Sequence, residues 1–363
     1  MNNLREDERI SIALRELYQC YGYQPYKVNK FEEYDLYMRN KSFLMSEQVL
    51  AFSDMDGRLM ALKPDVTLSI VKNLREEGET RKVFYAENVY RVPRGGYGFK
   101  EIMQTGLEVI GRVDVLAMGE VLMLAAKSLE TISDCFALDV ADLRIVSAIF
   151  EDAGLNEAQG AQMLSLISER NLHGLTALCR AWSLEKRTQD ALAALVTVYG
   201  PLEETLEQYE RMDLPAACSP ALCELRALMH MLRACGVTGV NLDFSVVSDM
   251  NYYSGLVFSG FIDGVPAGVL SGGRYDYLME KMGRRGQAIG FAVYLDQLER
   301  LAAKKPEYDV DLLICYDEQA DPCAVLAAAK EAVQRGERVR VQRAAETALR
   351  YRRMIRFGSG EAE

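Results

Sequence analysis

The chain has 363 residues, of which 49% are hydrophobic and 26% charged, with a formal net charge of −11. That is length enough for two or three domains with a sizeable core, in an ordinary globular composition. The acidic balance argues against nucleic-acid binding by bulk electrostatics, although a local basic patch would suffice for a local contact.

The eight cysteines form no CxxC pair and there are only two histidines, so a Cys/His zinc site has little support and no metal or cofactor is expected. Scattered buried thiols in a reducing cytosol are expected instead. The N-terminus, charged from its fifth residue, does not read as a signal peptide, and no run of 18 apolar residues exists. The expectation is a cytoplasmic protein with no membrane association.

In chain order, residues 4–21 carry Ile10, Leu14, Leu17 and Tyr18 on one helical stripe. Residues 49–63 alternate as a hairpin turning at Asp56-Gly57. Pro64 keeps Lys63 extended, and Asp65 is placed to cap a short helix at about 67–75. Strands follow at 82–92 and 101–110, joined by a glycine-rich basic loop, Pro93 to Lys100, and then a helix over 113–132. Strands with few helices between them predict an antiparallel sheet.

From about 139 to 236 the pattern becomes Ala/Leu-rich and helical, with helices at 139–153, 156–170, 183–198, 202–211 and 219–235. Within it His230 reads as a core histidine, and His173, beside Asn171 and Gly174, as a turn. Strand patterns return in LDFSVVSD, GLVFSGFID and GVPAGVLSGG, followed by helices at 274–282 and about 291–304. After Lys304-Lys305-Pro306, a linker signal, come strands at 309–316 and 338–342 and helices at 321–334 and 344–354. The arginines 350, 352, 353 and 356 then read as a solvated helix face. The domain reading is 1–138 and 237–304 as two parts of one core, 139–236 as a helical insertion, and 305–363 as a small α/β unit.

The second strand of the central pair holds the most information. A period of two places Gln104, Gly106 and Glu108 on one face, with Glu108 about 13 Å along the strand from Gln104. Polar ends with a bare glycine floor between them suit a small zwitterion.

Taken with NYYSG (251–255), GGRYD (272–276) and AIGFAVYLDQLERL (288–301), this stretch resembles the catalytic core of histidyl-tRNA synthetase. The resemblance runs from about Leu4 to Leu301 with a divergent middle. It implies an α+β fold: a class II aminoacyl-tRNA synthetase-like antiparallel sheet flanked by helices, with a helical insertion and a C-terminal α/β remnant of the anticodon-reading domain. It also implies a histidine pocket, with Glu108, Tyr253 and Tyr275 around the imidazole and Asp65, Thr67 and Gln104 around the α-amino group. Asp65 stands where the family carries a Glu, one carbon longer.

The positions that make the adenylate in that family are changed. Arg91 keeps the motif 2 arginine. Ser248 and Gln297 stand where the family has arginines, Tyr294 where it has a glycine beside the nucleotide, and Gly98 where it has a basic residue. Asn29 replaces a proline of the N-terminal dimer motif. Loss of cations from a phosphoryl site removes the largest source of transition-state stabilisation.

A synthetase core that keeps its amino-acid pocket and loses its chemistry is similar to the regulatory subunits of ATP phosphoribosyltransferase. That resemblance implies a non-catalytic homodimer within a hetero-oligomer. Its partner would be a short-form catalytic subunit and its effector L-histidine, acting at the first step of histidine biosynthesis. The alternatives are an active histidyl-tRNA synthetase, disfavoured by Ser248 and Gln297, and a tRNA sensor, disfavoured by the acidic balance.

Overall fold

The computed structural model describes residues 5–44, 48–73, 80–92, 98–247, 252–301, 307–344 and 348–358. The chain divides into two compact units, Met1–Leu301 and Ala302–Glu363.

The first unit opens with α1 (Glu6–Cys20), which buries Ile10, Leu14 and Tyr18 as its stripe requires. Next come β1 (Gln24–Pro25), β2 (Phe31–Glu33), α2 (Tyr34–Arg39), β3 (Ala51–Ser53) and β4 (Leu59–Leu62). The β3–β4 turn falls at Asp56-Gly57 as expected. Gly57 takes a φ of 77°, and the Asp54 carboxylate accepts from the Asp56 and Arg58 N–H groups. With β2, these two strands make a separate three-stranded sheet in the order β2-β4-β3.

α3 (Thr67–Lys72), β5 (Arg81–Arg91), β6 (Lys100–Gly111) and α4 (Val115–Ile132) lie within a few residues of their expected bounds. The Lys63 ammonium, with its side chain 1% exposed, pairs with Glu87 at 2.6 Å and so ties the approach to α3 onto β5.

The next stretch corrects the sequence reading. Residues expected to begin a helix at 139 form β7 (Phe136–Asp142), and α5 (Leu143–Asp152) starts only where Asp142 caps it by accepting from the Arg144 N–H. α6 (Glu157–Ser168) follows. His173, expected in a turn, lies inside α7 (Leu172–Ala181), which Asn171 caps through the Gly174 N–H. Then come α8 (Lys186–Thr197), β8 (Gly200–Pro201), α9 (Leu202–Arg211) and α10 (Ser219–Ala234). His230 is exposed on α10 rather than in the core. LDFSVVSD yields only the end of β9 (Val240–Leu242) and a 3-10 turn, Phe244–Val246; residues 248–251 lie outside the described set.

β10 (Leu256–Ile262), β11 (Leu270–Arg274), α11 (Asp276–Lys281) and β12 (Gln287–Tyr294) complete the unit. The helix expected from 291 is therefore wrong in its first turn: β12 runs to Tyr294 and a 3-10 helix covers Leu295–Leu301.

The main sheet has nine strands in the order β1-β5-β6-β12-β11-β10-β7-β9-β8. From β5 to β7 every pairing is antiparallel, as the class II resemblance implies, while β1 joins β5 and β9 joins β7 in parallel. One face packs Phe84, Leu107, Phe291 and Val293 against α1, α4 and the helices of 143–234, in one continuous core. The other packs Val83, Tyr85, Val89, Ile102 and Ala288 against α3 and α11, and this face holds the site. Each large apolar side chain so buried contributes about 1.5–3 kcal/mol.

In the second unit β13 (Val310–Tyr316), α12 (Pro322–Gln334) and β14 (Val339–Gln342) follow expectation. The helix expected at 344–354 is instead β15 (Tyr351–Phe357), parallel to β13, so the sheet has three strands in the order β14-β13-β15. Arg353 of that strand pairs with Glu337, and Arg350 just before it pairs with Asp309. Only Cys179, Cys218 and Cys315 are buried. The other five thiols are exposed, contrary to the expectation of buried sulfur throughout.

Candidate functional site

Three strands supply the floor. Across β5 and β6, Tyr85 lies opposite Gly106 and Val83 opposite Glu108. Across β6 and β12, Gln104, Gly106 and Glu108 face Tyr294, Ala292 and Gly290. The expected face is thus real, but the bare floor is not bare. The Tyr85 hydroxyl stands 2.7 Å from where a Gly106 Cβ would be. Gly290 serves Glu108 in the same way: a Cβ there would fall 1.7 Å from Glu108 Oε2.

Glu108 is the hub. It is 2% exposed, its Oε1 accepts from Thr67 Oγ1 at 2.9 Å, and its Oε2 accepts from the Tyr275 hydroxyl at 2.5 Å. Burial pushes its pKa up to about 8; the two hydroxyl donors oppose that shift, and the charge of Asp65 adds to it.

Asp65 reaches α3 from two residues ahead of its start. Val66 occupies the backbone cap position, while the Asp65 carboxylate accepts from the Leu68 N–H at 2.9 Å, which is the capping chemistry expected of it. Burial raises the pKa of Asp65 as well, and the backbone bond and the Arg91 charge hold it down. Arg91, 7% exposed, lies with its guanidinium carbon 5.6 Å from the Tyr294 ring centroid.

The aromatic wall is denser than the sequence reading allowed. Tyr252 and Tyr253 meet edge to face at 4.6 Å, and Tyr252 lies 6.2 Å from Tyr275. Tyr253 hydrogen-bonds Ser271, and Tyr252 hydrogen-bonds Thr67. Burial pushes all of these phenols up, so they stay neutral hydroxyls at neutral pH.

Together Asp65, Thr67, Gln104, Glu108, Tyr253 and Tyr275 line one cavity of about 140 Å³, with Arg91 and Tyr294 beside them. That is smaller than the ~300–1,000 Å³ of drug-sized sites and suits a metabolite of amino-acid dimensions. Hydroxyls, carboxylates and a single cation give it donors and acceptors for a polar, nitrogen-bearing ligand. Gln297 is not part of this lining; its amide donates to Asp296 at 2.9 Å. Ser248 lies outside the described residues.

Sequence reasoning missed Tyr85, Tyr252, Ser271 and Phe43, which also line the cavity. Tyr85 sits directly across from a glycine already singled out, a pairing that only the strand register reveals. Phe43 gave no signal.

The family model of histidyl-tRNA synthetase matches residues 2–298. The chain belongs to the histidyl-tRNA synthetase family. Within the curated proteins it is similar to the ATP phosphoribosyltransferase regulatory subunit of Acetivibrio thermocellus, at 27% identity over 84% of this chain and 76% of that protein. The regulatory subunit of Clostridium kluyveri is 28% identical over 86% of this chain and 83% of its own length.

Among solved structures, an ATP phosphoribosyltransferase regulatory subunit/histidyl-tRNA synthetase from Bacillus halodurans C matches with a TM-score of 0.81. Its identity is 24%, covering 98% of this chain and 96% of that one. A chain of the ATP phosphoribosyl transferase HisG:HisZ complex from Thermotoga maritima matches at a TM-score of 0.64 and 19% identity, over 80% of this chain and 97% of that one. At these identities the structural matches speak for the fold.

Proposed function

We propose that the chain is the regulatory subunit of ATP phosphoribosyltransferase. In this reading it has no catalysis of its own and acts in the cytoplasm, as a homodimer within a hetero-oligomer. It assembles with a short-form catalytic subunit, and L-histidine in the cavity exerts feedback on the first step of histidine biosynthesis.

The observation that carries this reading is the contrast within one pocket. All the residues expected to hold histidine line one cavity of about 140 Å³, and Tyr294, standing where the resemblance implies a glycine beside the nucleotide, lines it with them. Curated relatives at 27% and 28% identity bear the regulatory-subunit name. No helix among the described residues is long and apolar enough to cross a membrane. A pocket that binds an amino acid without processing it has a use when occupancy biases a partner. A coupling of about 1–3 kcal/mol changes that partner's behaviour about five- to 150-fold.

The test is reconstitution with the short-form catalytic subunit, following phosphoribosyl-ATP formation. The two proteins should co-elute, activity should rise on mixing, and histidine should inhibit the complex more than the catalytic subunit alone. Separate elution with unchanged activity overturns the proposal.

A further inference from the structure

Tyr253 and Tyr275 reach the cavity from two chain segments, the turn before β10 and the junction of β11 with α11. The Tyr253 ring lies against the backbone of β11, where a Cβ on Gly273 would stand 2.6 Å from it. One residue outside the cavity lining ties the two segments together. Ser254 donates its N–H to the Arg274 carbonyl at 2.8 Å, and its hydroxyl donates to the same carbonyl at 3.4 Å. That hydroxyl also accepts from the Asp276 N–H at 2.9 Å.

The last of these bonds is a helix cap supplied from a distance. Tyr275 holds the backbone cap position of α11 with no side-chain cap bond, and its hydroxyl is committed to Glu108. The first N–H of the helix finds its acceptor on Ser254, 22 residues earlier in the chain. The Asp276 side chain extends the tie. Its carboxylate accepts from Arg274 Nε at 2.7 Å and from the Ala288 N–H at 3.1 Å, while the Tyr275 N–H donates to the Ala288 carbonyl at 2.9 Å. The backbone that carries Tyr275 is thereby fixed to β12 on one side and to the Tyr253 turn on the other.

We propose that Ser254 is a positioning residue, whose hydroxyl latches the Tyr253 turn to the start of α11 and so keeps the Tyr275 hydroxyl on Glu108 before a ligand arrives. This rests on the reading of histidine as the ligand of the cavity. Ser254 acts on affinity through Tyr275, since its own hydroxyl is spent on Arg274 and Asp276. Without the latch, Tyr275 would be ordered at the moment of binding, and ordering a side chain then weakens the complex. A hydroxyl that only caps a helix would lower stability and leave affinity alone.

Calorimetry with L-histidine, with ligand-free melting temperatures alongside, tests this on the wild type, Ser254→Ala, Ser254→Thr, Tyr275→Phe and the double variant Ser254→Ala/Tyr275→Phe. Ser254→Ala should weaken histidine about three- to tenfold, and Ser254→Thr, which keeps the hydroxyl, should stay within about twofold of the wild type. In the Tyr275→Phe background the loss from Ser254→Ala should shrink to less than about twofold, because the contact it positions is already gone. Should Ser254→Ala not fold, Ser254→Cys, similar in size and a weak acceptor, carries the same expectations. Additive losses in the double variant overturn the assignment of Ser254 and leave the histidine reading standing. So does a lowered melting temperature with unchanged affinity. No binding by the wild type at millimolar histidine overturns both.

Discussion

The Tyr275 hydroxyl donates to Glu108 Oε2 at 2.5 Å, joining residues 167 positions apart, while Thr67 donates to the other oxygen of the same carboxyl. Glu108 is thus held in place before any ligand arrives. Preorganisation of this kind leaves little ordering cost to be met on binding.

Removal of its ionisable carboxyl should register directly. Glu108→Gln is expected to weaken L-histidine about ten- to a hundredfold, as loss of a charge-assisted hydrogen bond does. The pH profile is more specific. With Glu108 protonated up to about 8 and free imidazole up to roughly 6.5, the separated partners hold one proton between those values, and so does the bound pair. Affinity should be flat there, fall below about 6.5 as binding expels a proton, and fall above about 8 as binding must take one up. An ordinary carboxylate would instead give its best affinity between about 4.5 and 6.5. Calorimetry in buffers of different ionisation enthalpy separates the two profiles.

The same group sets a pH trend in ligand-free stability. A carboxyl whose folded pKa is raised contributes stability that is full below its unfolded value and is lost as pH climbs through the folded one. For Glu108 the loss runs from about 4.5 to about 8. The melting temperature of the wild type should fall over that window relative to Glu108→Gln. Parallel curves would show that Glu108 is already ionised.

Gly290→Ala should be far worse than its size suggests. The added methyl would sit 1.7 Å from Glu108 Oε2 and 2.3 Å from the Leu107 carbonyl oxygen, and the latter is backbone that cannot turn aside. We expect a destabilisation of about 1–3 kcal/mol or more. Thermal melts should show it, together with the loss of any histidine-induced shift.

The chain should form no histidyl-adenylate. Tyr294 lines the cavity beside Arg91, and the Gln297 amide is directed to Asp296 instead of toward a phosphate. Histidine-dependent ATP–pyrophosphate exchange should be absent; turnover of about 1 s⁻¹ or more, ordinary for enzymes, contradicts this.

The paired strands β5 and β6 were legible, and with them the Gln104–Gly106–Glu108 face, because a glycine-rich basic stretch separates two strand-length runs rich in β-branched and aromatic residues, although both their faces are largely buried. Strand β12 was not. In QAIGFAVY both faces are covered, so the period of two disappears into an apolar run that reads as readily as a helix. β7 was missed because it runs straight into α5, with Asp142 both ending the strand and capping the helix, so no turn residue separates the two. β15 failed differently: YRRMIRF is a strand because β13 offers it a partner, a fact no local window contains. Tyr85 needed the register of two strands, which sequence spacing alone does not fix.

The sheet order has one more consequence. Glu108 comes from residues 100–111, whereas Tyr275 and Gly290 come from 270–294, with the whole helical stretch of 143–234 between them in the chain. No partly folded chain contains the pocket. Whatever small molecule fits it binds the finished unit and nothing earlier, and at a hundred times its dissociation constant adds about 2.7 kcal/mol to the stability of that state. The metabolite would then govern how long the protein survives proteolysis as well as what it does, and depletion of the ligand would thin the population of intact molecules.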